Sequence, residues 1–542
     1  MSEALRQLID DHAARVAPTE TEANLAYWDF TTTGKAECGE RFARLRVALR
    51  RVYADPQAFE QLVGLTDGQP IDDPLLARQA TLLRYEFLGH QMDEETIEDL
   101  TRREVTIESV FNTFRANLSG KRVTENELIE VLRESNDPVL CRQAWEAGKQ
   151  IGGQVADQLL ELVDRRNLVS RRIGFDNYYR MHLALQELDE AELFAVFDEL
   201  DEQVSPIYGD YKANLDAGLA DRFSTTPEKL RPWHYNDLFF QEAPAADAVV
   251  RQFLNDVYAD QEVEALTERF YHAIGLEVGD VLARSDLYER EGKSQHAYCV
   301  HIDRKEDVRV LGNIKPNNRW MDTMLHECGH AAYDKYLDDG LPYLLRQPAH
   351  TLFTEAVAML MGRLAVDVDW LVTYAGMTPG EARSLADRLR RHQQGGLLIT
   401  SRWVLVMCHF ERALYQDPGQ DLNRLWWDLV ERFQLMSRPE GRDAPDWAAK
   451  IHLSTVPVYY HNYLMGELVA SQLRHQIDTT VLSGNGNSGR RFVTEAAVGQ
   501  YFIEKVFRPG GTRHWQDALM FATGERLRPA YFVAQVGGGS CQ

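Results

Sequence analysis

The chain has few cysteines, no long apolar run and a shortage of basic residues, and each shortage excludes a class of protein. Its six cysteines are scattered over 542 residues without paired spacing, which indicates reduced thiols rather than a disulfide framework. No apolar run approaches the length of a membrane span, and the N-terminal segment lacks the apolar core of a signal peptide. With 59 basic against 83 acidic residues and a net charge of −24, neither nucleic acid nor a membrane is an expected partner. We therefore expect a cytoplasmic protein.

Helical periodicity dominates the rest of the pattern. The segments 74–118, 125–173 and 320–338 combine helix-forming residues with apolar positions at helical intervals. The best strand candidates, 297–302 and 307–311, are short and precede the helix over 320–338, where they could form a small β-sheet. Further helices are predicted over 3–13, 39–53, 189–217, 245–274, 351–366, 379–415, 420–436, 459–477 and 492–505. The sequence thus predicts a mostly α-helical fold.

No internal repeat and no long linker divides the sequence. Breaks occur at 224–227, 438–441 and 483–489, where glycine, proline, serine and other turn-forming residues cluster. None of them is long enough to force two independent domains. We predict a single domain over 1–542 with a flexible glycine-rich tail at 537–542.

The stretch His326-Glu327-Cys328-Gly329-His330 carries the strongest chemical signal. Residues four apart lie on one face of a helix, so His326 and His330 can present two imidazole nitrogens to one tetrahedral Zn²⁺. Glu327 lies one step round the helix and is placed to act as a general base. This is the HExxH arrangement of a zinc peptidase.

A catalytic zinc site needs a third protein ligand and one open position. Metzincins use a histidine six residues beyond the second motif histidine, after a glycine, but those positions hold Tyr336 and Tyr333. The apolar helical segment 352–360 contains one carboxylate, Glu355, which lies 25 positions after His330. An ionised glutamate in such a segment is costly unless it is paired or bound to metal. We therefore predict Glu355 as the third ligand of one Zn²⁺ per chain.

A peptidase must also stabilise the oxyanion that forms when water attacks the scissile carbonyl. The segments 450–452 and 456–463 offer lysine, histidine and tyrosine donors, with Tyr460 and Tyr463 three residues apart. Tyrosines at the start of a helix more often serve packing than catalysis. The residues alone leave this choice open.

Several landmarks resemble, in the same order, the angiotensin-converting-enzyme family of zinc peptidases, which is related to the thimet oligopeptidase family. They are 22–30, 307–310, 341–355, 426–429 and 450–463. The resemblance runs over most of the chain and implies a large helical ellipsoid split by a deep central cleft, with zinc at its floor.

The resemblance also implies that different parts of the catalytic domain have different roles. The helices of 1–118 would cover the cleft as a lid that admits peptides but not folded proteins, and 290–477 would hold the zinc and substrate site. The implied site residues are the zinc ligands His326, His330 and Glu355, the general base Glu327, the oxyanion donors His452 and Tyr463, and the substrate-binding residues His301, Lys450 and Tyr460.

The sequence departs from the family pattern at several points. No glutamine lies near Trp233-His234-Tyr235, where the family has one that shares the substrate carboxylate. Asn462 replaces an arginine that binds chloride in the animal enzymes, and Met359 replaces an aspartate four residues past the third ligand. These changes leave hydrolysis intact but weaken the case for dipeptide release and for chloride activation.

We therefore expect a zinc metallopeptidase that hydrolyses short peptides, of the peptidyl-dipeptidase (dipeptidyl carboxypeptidase) type. The main alternative is an oligoendopeptidase of the thimet oligopeptidase type, since the spacing between His330 and Glu355 equals that of the thimet family. A remote alternative is an inactive, zinc-stabilised peptide-binding scaffold.

Overall fold

The computed structural model describes residues 2–68, 70–244, 248–484 and 488–538, and most of them are helical. The helices of the first part are α1 (Ser2–Thr33), α2 (Ala36–Tyr53), α3 (Pro56–Thr66), α4 (Pro74–Gly89), α5 (Glu94–Thr113), α6 (Glu125–Glu134), α7 (Pro138–Arg172), α8 (Tyr178–Leu185) and α9 (Glu190–Arg222). The mostly α-helical fold with a small β-sheet is confirmed.

The remaining helices follow residue 247. They are α10 (Ala248–Tyr258), α11 (Val263–Ala273), α12 (Gly279–Arg284), α13 (Asn318–Lys335), α14 (Thr351–Gly362), α15 (Val368–Tyr374), α16 (Pro379–Gln416), α17 (Leu422–Gln434), α18 (His452–Thr455), α19 (His461–Gln476), α20 (Ser488–Phe492), α21 (Ala496–Phe502), α22 (Trp515–Thr523) and α23 (Ala530–Gly537). Among the described residues, no helix combines the length and the apolarity that crossing a membrane requires.

The prediction of one continuous helix over 74–118 and another over 125–173 is wrong. In each segment, a capping side chain starts a second helix. Asp93 accepts a hydrogen bond from the Thr96 amide and starts α5 four residues after α4 has ended. Asp137 caps α7 in the same way, with proline at the first helical position. The helix predicted over 245–274 is likewise two helices, α10 and α11.

The strands form two separate antiparallel hairpins. Strands β1 (Ala116–Leu118) and β2 (Lys121–Val123) pair around a turn at Ser119 and Gly120, both of which have positive φ. This hairpin begins inside the predicted helix 74–118 and was not expected. The second hairpin, β3 (Tyr298–His301) and β4 (Val308–Leu311), pairs Tyr298 with Leu311 and confirms the two predicted strands.

The chain divides into two compact units that alternate along the sequence. Unit 1 comprises Met1–Gln91, Val249–Arg390 and Met465–Tyr531, and unit 2 comprises Met92–Ala248, Arg391–Leu464 and Phe532–Gln542. The predicted lid, 1–118, and the predicted site region, 290–477, are each shared between the two units. The single catalytic domain stays a prediction.

Each unit has its own core. In unit 1, α1, α3 and α4 pack through the buried residues Leu5, Ile9, Leu62, Leu83 and Phe87. In unit 2, buried tryptophans pack edge to face, among them Trp145 against Trp233, and Trp403 against Trp426. Of the predicted flexible segments, 485–487 and 539–542 lie outside the described residues, and Gly537 ends α23.

Candidate active site

The helix α13 carries the HExxH residues. Asn317 caps its start by accepting a hydrogen bond from the Trp320 amide at 3.0 Å. Residues four apart then share a face, and the Nε2 atoms of His326 and His330 lie 3.2 Å from each other. The Nε2 atoms of both imidazoles are therefore close enough to bind one metal ion.

The third predicted ligand comes from the next helix, α14. Glu355 Oε2 lies 3.9 Å from His326 Nε2 and 4.0 Å from His330 Nε2. The candidate ligand atoms of the three residues all lie within 4.8 Å of one another. Tetrahedral zinc with bonds near 2.0–2.1 Å holds its ligand atoms roughly 3.3 Å apart, so the donor set and its size suit Zn²⁺.

Glycines allow the ligand-bearing helices to approach closely. A methyl group on Gly329 would lie 2.7 Å from the Cα of Ala358, which is backbone that cannot swing away. A methyl group on Gly466 would lie 3.2 Å from the Cβ of Glu355. The ligand pair on α13 thus reaches the carboxylate of Glu355 because the residue between the ligands has no side chain.

Both ligand histidines are held in the neutral form that a metal requires. Burial lowers the pKa of His326 to about 4. Burial, followed by the neighbouring His326, lowers the pKa of His330 well below its usual value. Uncharged imidazoles offer lone pairs to a cation at neutral pH.

Thr354 orients one of these rings, and sequence reasoning missed it. Its Oγ1 lies 2.7 Å from His330 Nδ1. When Nε2 serves as the ligand atom, Nδ1 carries the proton and donates it to the threonine oxygen. The signal in the sequence is a polar residue directly before Glu355 in an otherwise apolar helix.

Glu327 is buried beside the ligands, with 9% of its surface exposed. Burial, and then the charge of Glu355, raise its pKa to about 8. A hydrogen bond from the Cys299 backbone in β3 acts in the opposite direction. The small sheet therefore contacts the residue predicted to be the base.

The sheet also positions His301, the last residue of β3. Burial lowers its pKa to about 4, so the ring is neutral. Its Nε2 lies 3.9 Å from Asp303 Oδ1 and has no hydrogen-bond partner among the described residues. A buried ring nitrogen in this state is available to a ligand.

In unit 2, Lys450 donates a hydrogen bond to Gln241 Oε1 at 2.7 Å. The Lys450 ammonium also faces the rings of Phe239 and Trp403, at 5.2 and 5.4 Å. Burial lowers the pKa of Lys450 to about 8. No glutamine lies near Trp233-His234-Tyr235, but Gln241, from further along the chain, contacts this lysine.

The tyrosines and His452 form an aromatic cluster in the same unit. The Tyr460 ring lies 5.0 Å from that of His452 and 5.6 Å from that of Tyr463. Trp403 donates a side-chain hydrogen bond to Tyr460. The helix predicted from residue 459 begins instead at His461, so Tyr460 precedes α19.

Two buried charged residues hold the backbone around this cluster. Glu411 accepts the amide of Val458 at 2.8 Å, and Val458 has φ 54 with 1% of its surface exposed. A β-branched residue with positive φ is strained and needs such support. Arg166 donates to the carbonyls of Leu453 and Ser454 at 3.1 and 2.6 Å, directly after His452.

Asn462 occupies the position between the paired tyrosines. Its Nδ2 lies 3.3 Å from Gln186 Oε1, and Gln186 in turn donates to the Val458 carbonyl at 3.2 Å. Neutral amides fill this place, and they hold the same strained turn that Glu411 supports.

Comparison with known proteins agrees with this geometry. The family model described as angiotensin-converting enzyme, a peptidase family, matches residues 2–533. No curated protein matches the chain. Because the family match spans nearly all of the sequence, the chain belongs to the angiotensin-converting-enzyme family of zinc metallopeptidases.

Proposed function

We propose that the protein is a zinc-dependent peptidase that releases dipeptides from the C-terminus of short peptides. The observation that carries the proposal is the convergence of His326, His330 and Glu355 within 4.8 Å, with Glu327 buried next to them. Two neutral imidazoles and one carboxylate are the donor set of a catalytic zinc site with an open position.

His326, His330 and Glu355 would hold the zinc, which would supply Lewis-acid chemistry by polarising the scissile carbonyl and lowering the pKa of water. Glu327 accepts the proton of the attacking water on its carboxylate and returns it to the departing amine. His452, as a neutral N–H donor, and Tyr463, through its hydroxyl, donate to the oxyanion; losing one such donor typically costs roughly 10²–10³ in rate. His301 donates to the substrate backbone.

The carboxypeptidase character is supported by Lys450 and Gln241. An ammonium and an amide joined at 2.7 Å, beside the aromatic rings of Phe239 and Trp403, are groups of the kind that bind a carboxylate. Tyr460, which packs on Trp403 with ring centres 6.0 Å apart, supplies a further hydroxyl. These groups would fix the free C-terminus of a peptide.

The second candidate is an oligoendopeptidase of the thimet oligopeptidase type, which ignores the substrate terminus. The 25-residue spacing between His330 and Glu355 favours it. A matched pair of peptides, one a free acid and the other a C-terminal amide, separates the two. If both peptides are cleaved equally well, the substrate carboxylate is not recognised, and the second candidate is favoured.

The central experiment is mass spectrometry of a peptide mixture after digestion by the zinc-loaded protein. We expect dipeptide products from the wild type, and no products from Glu327→Gln even though that variant retains zinc. A fully active, zinc-replete Glu327→Gln protein would refute the role of Glu327. If the wild type forms no zinc-dependent product, the remaining hypothesis is the inactive peptide-binding scaffold.

We further propose that 1–118 acts as a lid that limits access to short peptides. Digestion of a folded protein and of the same chain after denaturation and fragmentation tests it. We expect only the fragments to be cut. Comparable cleavage of the folded protein would contradict the lid.

A further inference from the structure

We propose that Asp322 makes this peptidase prefer substrates with a basic side chain, lysine or arginine, next to the scissile bond. The inference rests on the proposed function, since it names the substrate class of the same site. Asp322 lies on α13 four residues before His326. Residues 322, 326 and 330 therefore follow one face of the helix, the face that presents the two ligand imidazoles.

Asp322 is an exposed residue, and its carboxylate has no partner among the residues that the structure describes. Among the described residues, none forms a hydrogen bond or an ion pair with it. Some other acidic side chains of unit 1 are paired, such as Asp286 with Lys293 at 2.9 Å and Asp307 with Arg309 at 2.6 Å. Among the described residues, Asp322 is thus an unpaired carboxylate on the ligand-bearing face.

Contacts at the end of α14 place this carboxylate beside the first ligand. A methyl group on Gly362 would lie 3.0 Å from Asp322 Oδ1 and 3.4 Å from the Cβ of His326. The glycine leaves the carboxylate room to stand next to the base of the His326 side chain. Asp322 is nevertheless not a fourth ligand, since the group of candidate ligand atoms contains only His326, His330 and Glu355.

The surroundings of Asp322 strengthen its attraction for a cation. Although Asp322 is exposed as a residue, nearby protein atoms desolvate its carboxyl group and raise its pKa to about 6. At pH 7 the group still carries most of its charge, and its field reaches Glu327, whose pKa it raises. Charges in poorly hydrated surroundings interact more strongly than charges in bulk water.

The distance suits a substrate side chain adjacent to the cleaved bond. Asp322 precedes His326 by four residues, a rise of about 6 Å along the helix, or roughly two residues of an extended peptide. A long cationic side chain of a neighbouring substrate residue can span that distance and form a charge-assisted hydrogen bond with the carboxylate. An acidic side chain at the same position would be repelled.

The test compares kcat/KM for a peptide series in which each position flanking the scissile bond is in turn lysine, glutamine or glutamate. We expect the wild type to favour lysine over glutamine at one position by roughly 10-fold or more, as for hydrogen bonds to charged groups, and to disfavour glutamate there. In Asp322→Asn the lysine-to-glutamine ratio should fall to near one. In Asp322→Lys the order of lysine and glutamate should be reversed.

A matched control removes the same charge elsewhere. Asp339 is exposed in the segment after α13, and Asp339→Asn should keep the wild-type ratio. Zinc content of each variant, measured by atomic absorption, shows that the site remains loaded. A wild type that cleaves all three peptides equally, or an Asp322→Asn protein that keeps the preference, overturns the inference but leaves the proposed function standing. Failure of the zinc-loaded wild type to cleave any peptide overturns the proposed function.

Discussion

Gly329 lies against Ala358 so closely that a methyl group on the glycine would be 2.7 Å from the alanine Cα. This contact joins α13, which carries His326 and His330, to α14, which carries Glu355. The separation of these helices sets the distance between the imidazoles and the carboxylate. We therefore expect metal affinity to depend on Gly329, although this residue is not one of the proposed ligands.

We expect Gly329→Ala to push the two helices apart and to lower zinc affinity at least about 10-fold, because overpacking of this kind forces backbone shifts. Competition with a chelator measures the affinity, and thermal unfolding measures the stability. Gly153 in α7 is the control, because a methyl group there meets nothing within 4 Å. Gly153→Ala should increase the free energy of unfolding by roughly 0.5–1 kcal/mol. Unchanged zinc affinity in Gly329→Ala would contradict the argument.

Thr354 fixes the orientation of His330 through the 2.7 Å contact between Oγ1 and Nδ1. Thr354→Val keeps the shape of the side chain but removes the oxygen that accepts the proton. We expect it to weaken zinc binding by roughly 10–100-fold, the usual cost of removing such a partner. Thr354→Ser retains the oxygen and should bind zinc nearly as the wild type does. Equal losses in both variants would point to packing instead of orientation.

Lys450 should give carboxylate binding a characteristic pH dependence. Burial lowers its pKa from 10.5 to about 8, so we expect KM for free-acid peptides to rise above pH 8, while KM for the matching amides stays flat. In Lys450→Met the preference for the free acid should fall by roughly 10–100-fold. A flat KM profile for the free acid across pH 7–9 would be inconsistent with this role.

The same shift predicts the sign of the effect on stability. Because the pKa of Lys450 is lowered in the folded protein, the unfolded chain binds more protons between about pH 8 and 10.5. The contribution of Lys450 to the free energy of unfolding therefore increases with pH through that window. Denaturant titrations of wild type and Lys450→Met at pH 7.5 and 10 measure it, and the difference between the two proteins should move in favour of the wild type at the higher pH.

Arg166 holds the backbone that follows His452 by donating to the carbonyls of Leu453 and Ser454. We expect Arg166→Met to lower kcat by about 10²-fold, since misplacing a catalytic group by about 1 Å has that effect. Zinc affinity should not change, because His326, His330 and Glu355 belong to unit 1 and Arg166 to unit 2. A parallel loss of zinc would indicate general unfolding and remove the positioning role.

Much of the fold could be predicted from local patterns. Apolar periodicity identified the helical class, and the two short strand candidates before the HExxH helix correspond to β3 and β4. The failures arose where a single capping side chain outweighs periodicity, as at Asp93 and Asp137, each of which starts a new helix inside a predicted one. The helix predicted up to residue 118 likewise ends early, at Thr113, because the chain continues into strand β1.

In the candidate site, too, local patterns predict some features and not others. The four-residue spacing of His326 and His330 is local, so helix geometry alone brings their rings together. Glu355 could be proposed because a lone carboxylate in an apolar helix needs a partner. Gln241 could not be placed beside Lys450, since 209 positions separate them and no local rule relates them.

The sequence by itself determined which residue types are the proposed ligands and the proposed base, and their helical spacing, because these depend on chemistry and on the repeat of one helix. The tertiary structure alone decided that Gln241 meets Lys450, that Thr354 orients His330 and that Arg166 holds the turn after His452. Each of these contacts joins segments that are distant in sequence or lie on different helices, and only the packing of the helices brings them within hydrogen-bonding distance.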